Sequence, residues 1–209
     1  MNDLEKKLNQ CKKPSGKMGK QVVEEMNKHH FHLTSWGLEK VHIEENSIIL
    51  DIGCGGGSTV ARLASMAVGG KVYGIDYSPD CVNWSKAHNK QLISKGRVEI
   101  LHAGVEKMPF EENQFDIVMA VETVYFWPGL VKCFQEVRRV LKSSGKFVIV
   151  NEMYVNEAFK ERNDKFTAAG EMILHTPEKL KELLEKAGFK SVTIDLMEEK
   201  NWLCCVSEK

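Results

Sequence analysis

Ser47–Ala67 reads SIILDIGCGGGSTVARLASMA. Four of the first six residues are apolar and the run ends on Asp51, the pattern of a short buried strand. Gly53, Gly55, Gly56 and Gly57 follow within five positions, and Val60, Leu63, Ala64 and Ala67 then recur at i, i+3, i+4 and i+7, the stripe of a helix. Strand, glycine turn and helix in that order open an α/β fold. Downstream the alternation continues as KVYGID (71–76), PDCVNWSKAHNKQLI (79–93), RVEIL (97–101), FDIVMAV (115–121), LVKCFQEVRRVL (130–141) and KFVIVNE (146–152). Strands alternating with helices at this spacing imply a mostly parallel sheet covered on both faces. Thr176, Pro177, the stripe Leu180, Leu183, Leu184 and Ala187, and Gly188 mark one more helix with both ends legible. KSVTIDL (190–196) and NWLCCVS (201–207) close the chain as an antiparallel hairpin on the sheet edge.

Upstream, residues 1–45 are lysine-rich, punctuated by Pro14, Gly16 and Gly19, with Val22, Val23 and Met26 suggesting a short helix. This arm reads as a helical cap on a core formed by residues 46–209, together a single domain of 209 residues. Lys plus Arg and Asp plus Glu number 29 each, so no global field draws the chain to nucleic acid or to a membrane surface. No apolar run reaches the ~18 residues of a membrane span, and the most hydrophobic stretch, Phe115–Trp127, is broken by Asp116 and Glu122. Six cysteines without CxxC spacing, behind an N-terminus with no apolar signal region, point to reduced thiols in the cytoplasm. Cys204 and Cys205 fall on opposite faces of one strand.

The glycine turn is where chemistry is expected. Glycines let the backbone turn tightly and approach a ligand, while the helix that follows offers unpaired N–H groups. Neither glycine frame completes G-x-G-x-x-G, since the last position falls on Ser58 or Val60, and no Gly-Lys-Ser/Thr follows. Asp51 would sit close to any phosphate, so it suits a cationic group better. Twenty-five residues on, Asp76 ends the second strand, where a carboxylate accepts two hydrogen bonds from a ribose diol. Tyr77 beside it can cover one face of an adenine. The site therefore expects an adenosine with a cationic tail.

With these residues placed, the chain resembles the class I S-adenosylmethionine-dependent methyltransferases, in the small-molecule branch called methyltransferase type 11. DIGCGGG carries that family's D-x-G-x-G-x-G motif, Asp76 sits where its ribose-binding acid sits, VEKMPFEENQFDIVMAVET (105–123) is similar to its stretch through strand four, and EVRRVLKSSGKFVI (136–149) resembles E-x-x-R-V-L-K-P-G-G. The resemblance covers roughly residues 45–150. It implies a Rossmann-like, doubly wound, seven-stranded sheet, S-adenosylmethionine as cofactor at the strand C-termini, and methyl transfer to a small molecule. It also implies a cofactor site of Asp51, Gly53, Cys54, Gly55, Gly57, Asp76, Tyr77, Gly104, Val105, Glu106 and Glu122. Gly104 stands where similar enzymes carry an acid for the adenine amino group, which leaves adenine to the Val105 backbone and to stacking. Ser143 and Ser144 replace Pro-Gly, and Glu122-Thr123-Val124-Tyr125 replaces the N-P-P-Y/F of many nucleic-acid amino-methyltransferases, which argues against a base as acceptor.

The sulfonium methyl is already activated, so positioning an N, O or S nucleophile in line dominates the work. Glu122 and Glu152, leaving strands four and five, are the expected bases, with Tyr125 as a third catalytic residue. Phe126 and Trp127 extend a wall that favours a sulfonium or an amine. His29, His30 and His32 read first as solvated arm residues, with a base that titrates near neutrality as the competing reading, Cys54 reads as a small buried side chain, and no metal site is expected. The arm is expected to fold over the cofactor and help define the acceptor site. Two other readings compete with a methyl-transferring enzyme: a non-catalytic sensor or partner-binding module that keeps the cofactor pocket, and a nicotinamide-dependent oxidoreductase, which both failed glycine frames disfavour. The acceptor and the oligomeric state are not legible in the sequence.

Overall fold

The protein is described by a computed structural model over residues 10–209; the first nine residues of the expected cap lie outside the described residues. Among the described residues, α1 (Gly16–His29) and α2 (Phe31–Leu38) lie ahead of the sheet. Then come β1 (Ile48–Ile52), α3 (Ser58–Met66), β2 (Lys71–Asp76), α4 (Pro79–His88), α5 (Lys90–Ser94), β3 (Val98–His102), β4 (Phe115–Val121), α6 (Leu130–Val140) and β5 (Leu141–Asn151). The chain ends with α7 (Lys160–Gly170), α8 (Pro177–Lys186), β6 (Lys190–Met197) and β7 (Trp202–Glu208). The seven strands form one sheet in the order β3-β2-β1-β4-β5-β7-β6. Strands β1 to β5 pair in parallel, while β7 runs antiparallel between β5 and β6. The hairpin expected at the edge is present, with its second strand inserted against β5.

Each face of the sheet is closed by an apolar layer. On one, Phe134 and Val137 of α6 and Leu180 and Leu184 of α8 meet Leu50, Val118, Phe147 and Ile149. On the other, Leu33 and Leu38 of α2, Val60 and Leu63 of α3 and Val82 of α4 meet Ile49, Ile117, Val148 and Val150. Cys204 belongs to the second layer and Cys205 to the first, as strand alternation requires. Fully burying such side chains stabilises the fold by roughly 1.5–3 kcal/mol each.

Three differences from the sequence reading have local causes. The single helix expected over residues 79–93 divides at Asn89, a buried residue whose Nδ2 donates to the carbonyls of Gly57 and Ser85, each at 3.0 Å. That side chain joins the helix to the glycine turn, and the turn of backbone around it is the cost. The fifth strand starts earlier than expected, at Leu141, and turns at Ser144, where φ is 63° and the family motif has glycine. Within the expected cap, α2 packs Leu33 and Leu38 into the core while its Phe31 and Thr34 border the site cavity. A Cβ on Gly37 would stand 2.4 Å from Val150 Cγ2, so only glycine lets α2 lie this close to β5.

Candidate functional site

The parallel strands β1, β2 and β4 end on one edge of the sheet, and a cavity of about 330 Å³ opens there. Its floor is the glycine turn. Gly53 and Cys54 donate their amides to the Ile75 carbonyl at 2.8 and 3.0 Å, which draws the turn across to the end of β2. Gly55 adopts φ of 51°, donates its amide to Asp76 Oδ2 at 2.9 Å, and faces space in which a Cβ would meet nothing within 4 Å. Gly57 does a different job from the one expected. At φ of 83° it starts α3 against Ser85 and Asn89, and it does not line the cavity.

Asp51 and Asp76 give this floor its charge. Asp51 is 2% exposed, and its Oδ2 has no hydrogen-bond partner although it borders the cavity. Burial, and then the neighbouring carboxylate of Asp76, push Asp51 up to about 7. Asp76 Oδ1 accepts from the Ser78 amide at 2.8 Å and Oδ2 from Gly55, so each oxygen keeps a lone pair for a ligand. Burial raises Asp76 too, against the pull of those amides. An unpartnered buried oxygen beside a second carboxylate calls for a cation, and a diol fits the two half-used oxygens of Asp76. The residues present therefore fit an adenosyl group with a cationic amino-acid tail.

Tyr77, Cys54, Gly104, Val105 and Glu106 line the same cavity, as expected of them. Tyr77 also does something the sequence did not indicate: its hydroxyl donates to the Lys12 carbonyl and ties the arm to the end of β2. Ser78 Oγ donates to the Pro14 carbonyl at 2.7 Å and the Gly16 amide donates to Asp80 Oδ2 at 2.7 Å. Held at that end, α1 brings Val23, Met26, Asn27 and His30 onto the wall. A Cβ on Gly56 would stand 2.7 Å from Val23 Cγ1, so the helix rests directly on the glycine turn.

At the far end β4 stops at Glu122, held at φ of 59°, a left-handed conformation that costs a non-glycine residue of order 1–3 kcal/mol. Glu122 Oε1 accepts from Tyr125 Oη at 2.8 Å and from the Glu152 amide. Glu122 Oε2 lies 3.8 Å from His30 Nε2, which is itself 3.9 Å from Glu152 Oε1. Glu152 Oε2 pairs with His29 Nε2 at 2.9 Å. Burial, then the repulsion of Glu152, push Glu122 up to about 7, while His30 and its two donors work against them. Burial opposes charge on His30, but Glu152 and Glu122 outweigh it and raise this imidazole. Burial likewise disfavours charge on Glu152, and His30 and His29 overcome it to hold this carboxyl below its usual range.

Of the three expected catalytic side chains, Glu122 borders the cavity, whereas Tyr125 and Glu152 stand behind it. Phe126, Trp127 and Pro128 complete the wall. His30 was missed. Read as a solvated arm residue, it is one of the walls, and the signal was available: with Val22, Val23 and Met26 it continues an i, i+4, i+7/8 stripe that turns it inward.

Comparison with known proteins agrees with this geometry. Residues 50–149 match a family model described as a methyltransferase domain. The sterol 4-C-methyltransferase strm-1 of Caenorhabditis elegans is 30% identical over 191 residues, covering 87% of this chain and 54% of that protein. The sterol 24-C-methyltransferase ERG6 of Saccharomyces cerevisiae is 29% identical over 124 residues, covering 59% of this chain and 32% of that one. The chain thus spans about half the length of the first and a third of the second. A solved S-adenosylmethionine-dependent methyltransferase from Aquifex aeolicus superposes with a TM-score of 0.71 at 21% identity, over 90% of this chain and 96% of that one, and shares the fold. Motif, sheet order and the cation-seeking floor agree with these relatives, and residues 50–149 are a methyltransferase domain of the class I S-adenosylmethionine-dependent kind, with S-adenosylmethionine as cofactor.

Proposed function

We propose that this chain, folded as one domain with its arm over the site, is an enzyme that transfers the methyl group of S-adenosylmethionine to an apolar small molecule of the sterol type. One observation carries the reading: Glu122, with Oε1 held by Tyr125 and the Glu152 amide and Oε2 3.8 Å from His30 Nε2, borders the cavity together with Phe126 and Trp127. The sterol methyltransferases among its relatives support the acceptor class.

The cofactor supplies an electrophilic methyl on a sulfonium, whose departure as a neutral thioether needs no acid. Asp76 holds the ribose through its two half-used oxygens, and Asp51 pairs with the cationic tail. Gly53 and Gly55 let the ligand lie against bare backbone, and Val105 presents its main chain to the adenine. Gly104, open to the cavity with no atom within 4 Å of a Cβ, leaves that edge unobstructed. Phe126 and Trp127 supply aromatic wall beside a cation and exclude water from the methyl's path. An acceptor that carries a hydroxyl, N–H, S–H or C–H proton at or beside the methylated atom gives up one proton for each methyl gained, and Glu122 takes it. Tyr125 and Glu152 act on the reaction through Glu122 as positioning residues. In-line placement accounts for up to ~7–11 kcal/mol of the barrier lowering, and a base for ~10²–10⁴ in rate.

The test is S-adenosylhomocysteine formation by the purified protein across sterols, prenyl alcohols, phenols, amines and thiols. Turnover with a sterol or prenyl alcohol, falling about 100-fold in Glu122→Gln, is expected. Turnover confined to polar amines or thiols, or none with any acceptor, contradicts the reading.

A further inference from the structure

A proton that leaves an acceptor in a closed apolar pocket must also leave the pocket, because a base that stays protonated is spent after one turnover. The four side chains of the far-end cluster grade from cavity to water: Glu122, His30, Glu152 and His29 are 11%, 17%, 20% and 70% exposed. They also alternate in type, carboxylate, imidazole, carboxylate, imidazole. Each gap is one short hop: 3.8 Å from Glu122 Oε2 to His30 Nε2, 3.9 Å from that nitrogen to Glu152 Oε1, and 2.9 Å from Glu152 Oε2 to His29 Nε2. The two longer gaps close with small rotations of the His30 ring, as catalytic contacts commonly do once substrate is bound.

We propose that Glu122, His30, Glu152 and His29 form a proton exit path from the acceptor to solvent, with both of its imidazoles delivered by the end of the arm helix. This rests on Glu122 receiving the acceptor's proton, as argued above. The balance is complete without a further reactant. The bond from acceptor atom to methyl carbon forms as the sulfur–methyl bond breaks, its electron pair stays on sulfur, and the acceptor's proton goes to Glu122 Oε2. Glu152 takes the Nε2 proton of the charged His30 and passes it through His29 to water, and Glu122 then returns a proton to His30 Nε2.

The surroundings of the path favour traffic over trapping. Facing it from other elements are Tyr125 Oη, which holds Glu122 Oε1, and Arg162 of α7, whose guanidinium donates to the Glu152 carbonyl at 3.2 Å. The Glu122 carboxylate and the Glu152 backbone are therefore held while the His30 ring moves. Glu122 stands near 7, and His30 and Glu152 are biased toward the charged pair, so the proton between those two rests on His30. The path also explains why an otherwise surface-seeking pair of histidines ends α1: without the arm in place, Glu122 would have no outlet.

The test has two arms. In the first, ring carbons and nitrogens of labelled histidine are followed by NMR against pH in the protein saturated with S-adenosylhomocysteine, for wild type, Glu152→Gln and Glu122→Gln. His30 is expected to titrate above the ordinary histidine value in wild type and to move down in both variants. A His30 that titrates at the same pH in all three proteins overturns the path, whatever the acceptor proves to be. In the second, His30→Ala is assayed with the acceptor that turns over best, or with cholesterol if none does better. A loss of about 100-fold in kcat with the KM for S-adenosylmethionine unchanged, partly restored by free imidazole, is expected, and free imidazole is not expected to restore Glu122→Gln. Activity of His30→Ala within threefold of wild type overturns the proposal. His30→Asn, which keeps the volume, takes its place if the alanine variant does not fold. If no acceptor is methylated by the wild type, the proposed function fails, and the NMR arm alone decides the path.

Discussion

Asp51 makes cofactor affinity depend on pH with a slope that the site's geometry sets. In the ligand-free protein burial and the Asp76 charge hold Asp51 at about 7. A ligand whose cationic amino group pairs with Asp51 binds the ionised form alone, so affinity follows the ionised fraction. That fraction is about 0.03 at pH ~5.5 and about 0.5 at pH ~7, which gives about 16-fold tighter binding at the higher pH, or ~1.6 kcal/mol. The ligand's own α-amino group, near 8, stays protonated across this range. Calorimetric titration with S-adenosylhomocysteine in two buffers of different ionisation heat reads both the affinity and the proton released, about one at pH ~5.5 and about half at pH ~7. Asp51→Asn is expected to bind more weakly and to flatten the profile, leaving only the smaller contribution of Glu122 at the other end of the cavity. Constant affinity from pH ~5.5 to ~7, with no proton released, would show that Asp51 does not face the cationic tail.

Other outcomes follow from the same structure. Asp51 and Glu122 stand above, and His30 is raised from, their unfolded values, so the ligand-free fold binds extra protons and loses stability as pH rises through about 7; Tm measured from pH ~5.5 to ~8 should fall, and fall less in Asp51→Asn. Gly57→Ala places a Cβ 2.4 Å from Ser85 Oγ and Asn89 Nδ2 at φ of 83°, and should cost about 1–3 kcal/mol in urea unfolding. Tyr125→Phe removes a donor from Glu122 Oε1 and should shift the acid limb of the pH–rate profile upward, since the ionised carboxylate loses a hydrogen bond worth about 1.5–3 kcal/mol. Removing residues 1–30 strips Val23, Met26, Asn27 and His30 from the cavity wall; S-adenosylmethionine binding should weaken, and an unchanged affinity would refute the arm's role.

What was legible in the sequence was what repeats or what glycine dictates. The 47–67 unit, the alternation through residue 152 and the terminal hairpin are local patterns; the seven-stranded sheet was implied by the family resemblance, and the strand order is read from the structure. Asp51 and Asp76 were legible because strand ends fix where their side chains emerge. The end of α1 was not. His30 meets Glu122 and Glu152 across some 90 and 120 positions of chain, and no local period encodes that meeting. Read alone, a run of lysines and histidines looks like solvated surface; the stripe of Val22, Val23 and Met26 gives the helix an inward face, and the docking of Val23 against Gly56 shows what that face meets. Gly57 was misread for the opposite reason: within a motif of ligand-binding glycines it serves packing against Ser85 and Asn89, which the motif does not distinguish. The break at Asn89 was hidden because one buried amide side chain, not a proline or glycine, makes it.

The most direct test of the account is a crystal structure with S-adenosylhomocysteine bound. The account predicts both ribose hydroxyls within about 2.6–3.2 Å of the Asp76 oxygens, the amino group on Asp51 Oδ2, and the thioether sulfur turned toward Glu122 and the wall of Phe126 and Trp127. A ribose bound away from Asp76, or an amino group with no contact to Asp51, would contradict it.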